Sequence, residues 1–125
     1  MVAVGKIVAI ALDSADPAGL ARFYRELLDL PVRYESPEFV CLQGEGVMLT
    51  FEYVADHRPP VWPGVEVPKQ MHLDIEVDDL DEAERRAIEI GAVKADFQPK
   101  PESWRVLLDP AGHPFCVVAP IPAHN

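Results

Sequence analysis

The spacing of apolar positions changes several times along the chain, and each change marks an element. Residues 7–12 form a short apolar run rich in β-branched side chains, the pattern of a strand. Asp16-Pro17 then supplies a helix N-cap followed by proline at the first helical position. Leu20, Phe23, Leu27 and either Tyr24 or Leu28 recur at helical spacing, so a helix is predicted to about Asp29, with Pro31 preventing continuation. Three strand-like segments follow at 32–35, 39–43 and 47–54, the last two separated by Gly44-Glu45-Gly46. The order is βαβββ.

From 55 to 70 the composition changes to a linker with Pro59, Pro60, Pro63 and Pro68, a stiff extended segment in which Trp62 and Val65 are the apolar residues. A second strand is predicted at 71–77 and a second helix at 79–90. Asp79 is its N-cap, with Glu82 three residues on to complete a capping box, and Gly91 is its C′ residue. Further strands are expected near 92–97, 104–108 and 114–119. The proline-containing 98–103 and the turn Asp109-Pro110-Ala111-Gly112 separate them.

The second half therefore repeats the first. At an offset of 63 residues Lys6 meets Lys69, Asp16 meets Asp79, Arg22 meets Arg85 and Glu26 meets Glu89. With 125 residues the chain fits one compact domain, 1–125, of module one (about 6–54), linker (55–70) and module two (about 71–119).

Charge and cysteine content narrow the partners. A formal charge of −10 argues against nucleic acid and anionic membrane, both of which need clustered Lys or Arg, and favours a small neutral, cationic or metal-bridged ligand. The apolar start is far too short to span a bilayer. Cys41 and Cys116 are too few for a disulfide framework and no signal-peptide pattern precedes them, so a cytoplasmic protein with free thiols is expected.

Only the second module carries polar chemistry on its first strand. Alternation puts Leu73, Ile75 and Val77 on one face, packed on the following helix, and His72, Asp74 and Glu76 on the other. The first module offers Ala9, Ala11 and Asp13 there. Three ionisable groups in a row are also what the solvated face of an antiparallel sheet looks like. Against that, His72 sits between the bulky Met71 and Leu73, with a carboxylate two residues along the same face to favour its imidazolium and its use as an acid or base.

These residues resemble the vicinal oxygen chelate superfamily, the glyoxalase, bleomycin-resistance and ring-cleaving dioxygenase group, and more narrowly its glyoxalase-like members. The resemblance rests on the run from His72 to Asp81, the Ile90-Gly91-Ala92 helix exit, the run from Trp104 to Phe115, and the helix start from Asp16 to Tyr24. It implies an α+β fold of two tandem βαβββ modules forming a curved sheet cup with helices outside. It also implies a small-molecule ligand in that cup and frequent homodimers.

In metal-dependent relatives, ligands come from the first and last strands of each module. The resemblance carries those positions to Ala9 and His72, and to Glu52 and Cys116. Ala9 has no donor and Cys116 replaces a carboxylate, so no metal cofactor is expected. The alternative is a divalent ion such as zinc, nickel, manganese or iron on His72, Glu52 and Cys116, with Asp74 one pleat along. The expected ligand contacts are His72, Asp74, Glu52 and Cys116. If chemistry follows, His72 carries the proton, Asp74 orients it and Glu52 is a second acid or base. A metal-dependent lyase or dioxygenase and a drug-sequestering protein of the bleomycin-resistance type are the other two readings. Cys116 itself, among Phe115, Val117 and Val118, reads as a buried thiol whose apolar surroundings raise its pKa. Cys41 reads as strand packing, His57 and His113 as loop and turn residues, and His124 as part of the tail.

Overall fold

The computed structural model describes residues 3–120, and the chain divides after His57 into two compact units. The first unit contains β1 (Ala9–Ser14), α1 (Pro17–Leu28), β2 (Val32–Ser36), β3 (Phe39–Gln43) and β4 (Met48–Tyr53). The second contains β5 (Leu73–Glu76), α2 (Leu80–Glu89), β6 (Val93–Lys94), β7 (Trp104–Leu108) and β8 (Pro114–Val118). Each unit forms an open four-stranded sheet, ordered β1-β4-β3-β2 in one and β5-β8-β7-β6 in the other, with the first and last strands parallel and the rest antiparallel. The same order twice is the βαβββ repeat expected from the sequence.

Local signals set the helix ends. The Asp16 carboxylate accepts from the Gly19 backbone N–H at 3.1 Å with Pro17 behind it, and Asp29 closes α1 in the left-handed conformation. The Asp79 carboxylate accepts from Glu82 N–H at 3.1 Å, but Glu82 does not complete the capping box. Its carboxylate takes Arg85 at 2.6 Å, a competing charged partner on the same helix face. At the other end Ala92 N–H reaches Ala87 O at 3.0 Å and Gly91 N–H reaches Ile88 O at 3.1 Å, a Schellman closure that holds Gly91 at φ 124°.

Each helix covers one face of its own sheet. In the first unit Leu20, Phe23 and Tyr24 of α1 meet Val40, Leu42 and Phe51, with the Tyr24 and Phe51 rings stacked at 5.7 Å. In the second, Ala87, Leu107, Phe115 and Val117 are all essentially buried, and α2 lies over β6, β7 and β8 more than over the edge strand β5. Arg105 of β7 clamps α2 from below through Asp81 at 2.6 Å and Glu84 at 3.4 Å.

Strand bounds differ from expectation where pairing, not composition, decides. Ile7 and Val8 are exposed, and β1 starts at Ala9, where its ladder with β4 begins. The strand expected at 92–97 shrinks to two residues. Beyond it Gln98 takes over the role of a pairing backbone: its Oε1 accepts from Val106 N–H at 2.9 Å and its Nε2 donates to Val106 O and Ala95 O at 2.8 Å. No helix among the described residues is long and apolar enough to cross a membrane.

Candidate functional site

Strand register builds the site within the second unit. In a parallel pair, residues in register share a face, and Asp74 of β5 stands against Cys116 of β8, which stands in turn against Val106 of β7. The face away from α2 therefore presents Asp74, Cys116 and Val106 in a row, with His72 just before β5 and Pro114 and Val118 on either side of Cys116. The linker folds over this face. Trp62 and Lys69 join it, and with Pro99 and Trp104 they complete a groove of about 410 Å³.

On the groove floor His72 Nε2 lies 3.0 Å from Asp74 Oδ1. The Cys116 thiol lies beside this pair, with one donor atom of each of the three residues within 4.8 Å of the others. Burial pushes that thiol up to about 11, Asp74's negative charge adds to the effect, and the ammonium of Lys69 opposes it. Cys116 is thus a proton-bearing group at neutral pH. The His72 side chain is one-third exposed and Asp74 about half, so both face an incoming molecule.

The walls are aromatic. Trp62 and Trp104 pack against the Ala95, Val106 and Cys116 cluster, and Trp62 also meets Phe97 at 5.7 Å. Lys69 Nζ lies 5.3 Å from the Trp62 ring and Lys100 Nζ 5.9 Å from the Trp104 ring, cation–π contacts that orient both indoles. Pro59 packs on the turn at Gly112, where an added Cβ would come within 2.6 Å of the proline ring, so the start of the linker is fixed against β7–β8.

Register also corrects the carried-over ligand positions. With Asp16 set on Asp79, Ala9 corresponds to His72, Ala11 to Asp74 and Asp13 to Glu76. Ala11 pairs with Thr50 and Asp13 with Glu52, while Asp74 pairs with Cys116 and Glu76 with Val118. Cys116 is therefore the counterpart of Thr50, and Glu52 that of Val118. The equivalence of Glu52 with Cys116 read from the sequence is two residues out, because the longer β6–β7 connection widens the offset before the last strand. A slip of two preserves the face, which is why Cys116 still points to the groove.

His72, Asp74 and Cys116 thus come together, with one donor atom of each within 4.8 Å of the others. Glu52 lies on β4 of the first unit, exposed, in register with Asp13 and Phe39. His113 lies in the β7–β8 turn, its N–H held by Asp109 at 3.0 Å, and His57 donates its N–H to Val54 O. His124 lies outside the described residues. Sequence reasoning missed Lys69, Trp104 and the role of Trp62. An aromatic residue in a proline-rich segment was the available signal, since a linker that only spaced two modules would have no need of one.

Residues 9–118 match the family described as the glyoxalase-like domain. The chain belongs to that family. No curated protein matches this glyoxalase-like chain by sequence. Among solved structures it is similar to a glyoxalase/bleomycin resistance protein/dioxygenase family enzyme from Burkholderia phytofirmans PsJN. That pair is 19% identical with a TM-score of 0.70, covering 94% of this chain and 100% of that one. The bleomycin-binding protein of Streptomyces verticillus, solved with copper(II)-bleomycin, is 17% identical with a TM-score of 0.62, covering 97% and 100%. Lactoylglutathione lyase from Agrobacterium tumefaciens is 20% identical with a TM-score of 0.62, covering 91% and 92%. At these identities the likeness is one of fold: two tandem βαβββ modules.

Proposed function

We propose that this glyoxalase-like protein binds a small organic molecule in the groove of its second unit, with His72 and Asp74 as the polar contacts and the tryptophans as walls. One observation carries the reading: the two tryptophans of the chain both line a groove whose floor holds the 3.0 Å His72–Asp74 pair. Apolar walls with a few convergent polar groups are the usual make-up of a ligand site. The walls and the pair contact the ligand directly, so binding asks nothing of a resident metal. With Nε2–H donated to Asp74, the Nδ1 lone pair of His72 is the one available for a substrate proton. Asp74 then holds the ring and stabilises the imidazolium that forms. The Cys116 thiol, held neutral by its burial, is not the nucleophile.

Tryptophan fluorescence tests the reading, because all of the indole signal arises at the groove. Small aromatic compounds that quench it are expected to lose about tenfold in affinity on His72→Ala and again on Trp104→Ala. His72→Ala should cost no more than about 0.5 kcal/mol of stability, as for other exposed side chains. Quenchers whose affinity neither substitution changes would remove the groove from consideration. Glu52→Gln, measured alongside, reports whether the first unit contributes the second acid or base.

A further inference from the structure

The linker places a positive charge in the groove that no acid of the chain matches. Val61 N–H donates to Val67 O at 2.7 Å, closing a loop that sets Trp62, one residue after its start, beside Lys69, two residues beyond its end. Lys69 lines the groove half-buried, with its ammonium over the Trp62 ring, and Lys100 rests in the same way on Trp104. Neither lysine makes an ion pair among the described residues. The one carboxylate that lines the groove, Asp74, already has His72 at 3.0 Å. The unmatched charge there is therefore positive, although the formal charge of the whole chain is −10. Exposed charges farther away than about 8 Å are largely screened at physiological salt, so the groove's own groups decide which ligand charge it accepts.

We propose that the groove takes an aromatic carboxylate and that Lys69 is the residue that selects it. The assignment rests on the ligand-binding reading of the same groove, and it reverses the preference for a neutral or cationic ligand expected from the total charge. A flat ring packs against indole, and the carboxylate accepts charge-assisted hydrogen bonds from the ammonium held over Trp62. The flexible four-carbon stem of Lys69 lets its three N–H donors turn from the ring face to the ligand without moving the backbone. Asp74 would repel an acid that reached the floor, so the carboxylate belongs at the linker wall. A cationic ligand would have to displace His72 from Asp74 and would meet the Lys69 charge as well.

Calorimetry with three probes of matched ring, 2-naphthoate, 2-naphthamide and 2-naphthylmethylammonium, separates charge from stacking. The full chain is expected to bind the carboxylate at least about tenfold more tightly than the amide or the amine. Lys69→Met keeps an apolar stem on Trp62 and removes the charge. It should bring the carboxylate down to the level of the amide and leave the amide within about twofold. Lys69→Arg should retain the preference. Lys94→Met removes the same charge from the α2 side of the sheet, where Lys94 pairs with Glu84, and should change none of the three affinities. A carboxylate bound no more tightly than the amide, a preference that survives Lys69→Met, or an equal loss on Lys94→Met would overturn the assignment. Trp104→Ala distinguishes the two levels of failure. Probes that lose affinity on Trp104→Ala but show no charge preference sink the role of Lys69 alone, whereas no binding by any probe, or binding indifferent to Trp104→Ala, removes the groove reading and this inference with it.

Discussion

Asp109 offers the most direct test of how the turn between β7 and β8 positions the groove floor. The residue is 4% exposed, and its carboxylate accepts from Ala111 N–H at 2.9 Å and His113 N–H at 3.0 Å. Its backbone closes the same turn, donating to His113 O at 2.9 Å and accepting from Gly112 N–H at 2.8 Å. Asp109→Ala removes these two side-chain bonds to part-buried N–H groups. At roughly 1.5 kcal/mol for each bond to a charged group, the low end suited to a part-buried turn, the loss is about 3 kcal/mol. Asp109→Asn keeps an oxygen in place for both donors and gives up only the charge, so about 1 kcal/mol is expected. For a chain of this length that is a fall in melting midpoint of about 10 °C for alanine and about 4 °C for asparagine. Urea and thermal unfolding give both numbers. Tryptophan fluorescence of the folded variants should also shift more for alanine, because the turn feeds β8 at Pro114 and so sets Cys116 opposite Asp74. An alanine cost below about 1 kcal/mol, or asparagine as damaging as alanine, would refute the account of the turn.

Two further outcomes are expected. In metal-free protein the Cys116 thiol, raised from 9.0 to about 11, contributes stability that is fully present below pH 9 and is lost as the pH rises through 11. Wild type should therefore lose stability relative to Cys116→Ala between pH 8 and pH 10, by on the order of 1 kcal/mol or less, and urea unfolding showing a constant difference across that range would contradict the raised thiol. Gly91→Ala places a side chain at φ 124° and should destabilise by about 1–3 kcal/mol in thermal unfolding, whereas a neutral result would mean that the α2 exit does not need its left-handed residue.

The sequence by itself determined what is local. Asp16-Pro17, Asp79 and Gly91 set helix ends because a cap is a bond between neighbours in the chain, and the Asp109 to Gly112 turn is closed by its own side chain. The repeated strand, cap and helix announced two like modules, and period-two alternation put His72 and Asp74 on one face. Tertiary structure decided which residues meet across strands and segments. No local signal says that Asp74 stands opposite Cys116 rather than Val118, because register depends on the length and closure of the intervening connections. Nor does composition say that Gln98 will imitate a strand, or that Trp62 and Lys69 will leave the linker to wall a groove. Those outcomes depend on burying indole surface and satisfying the backbone of Val106 in the folded unit, and both quantities exist only once distant parts of the chain have come together.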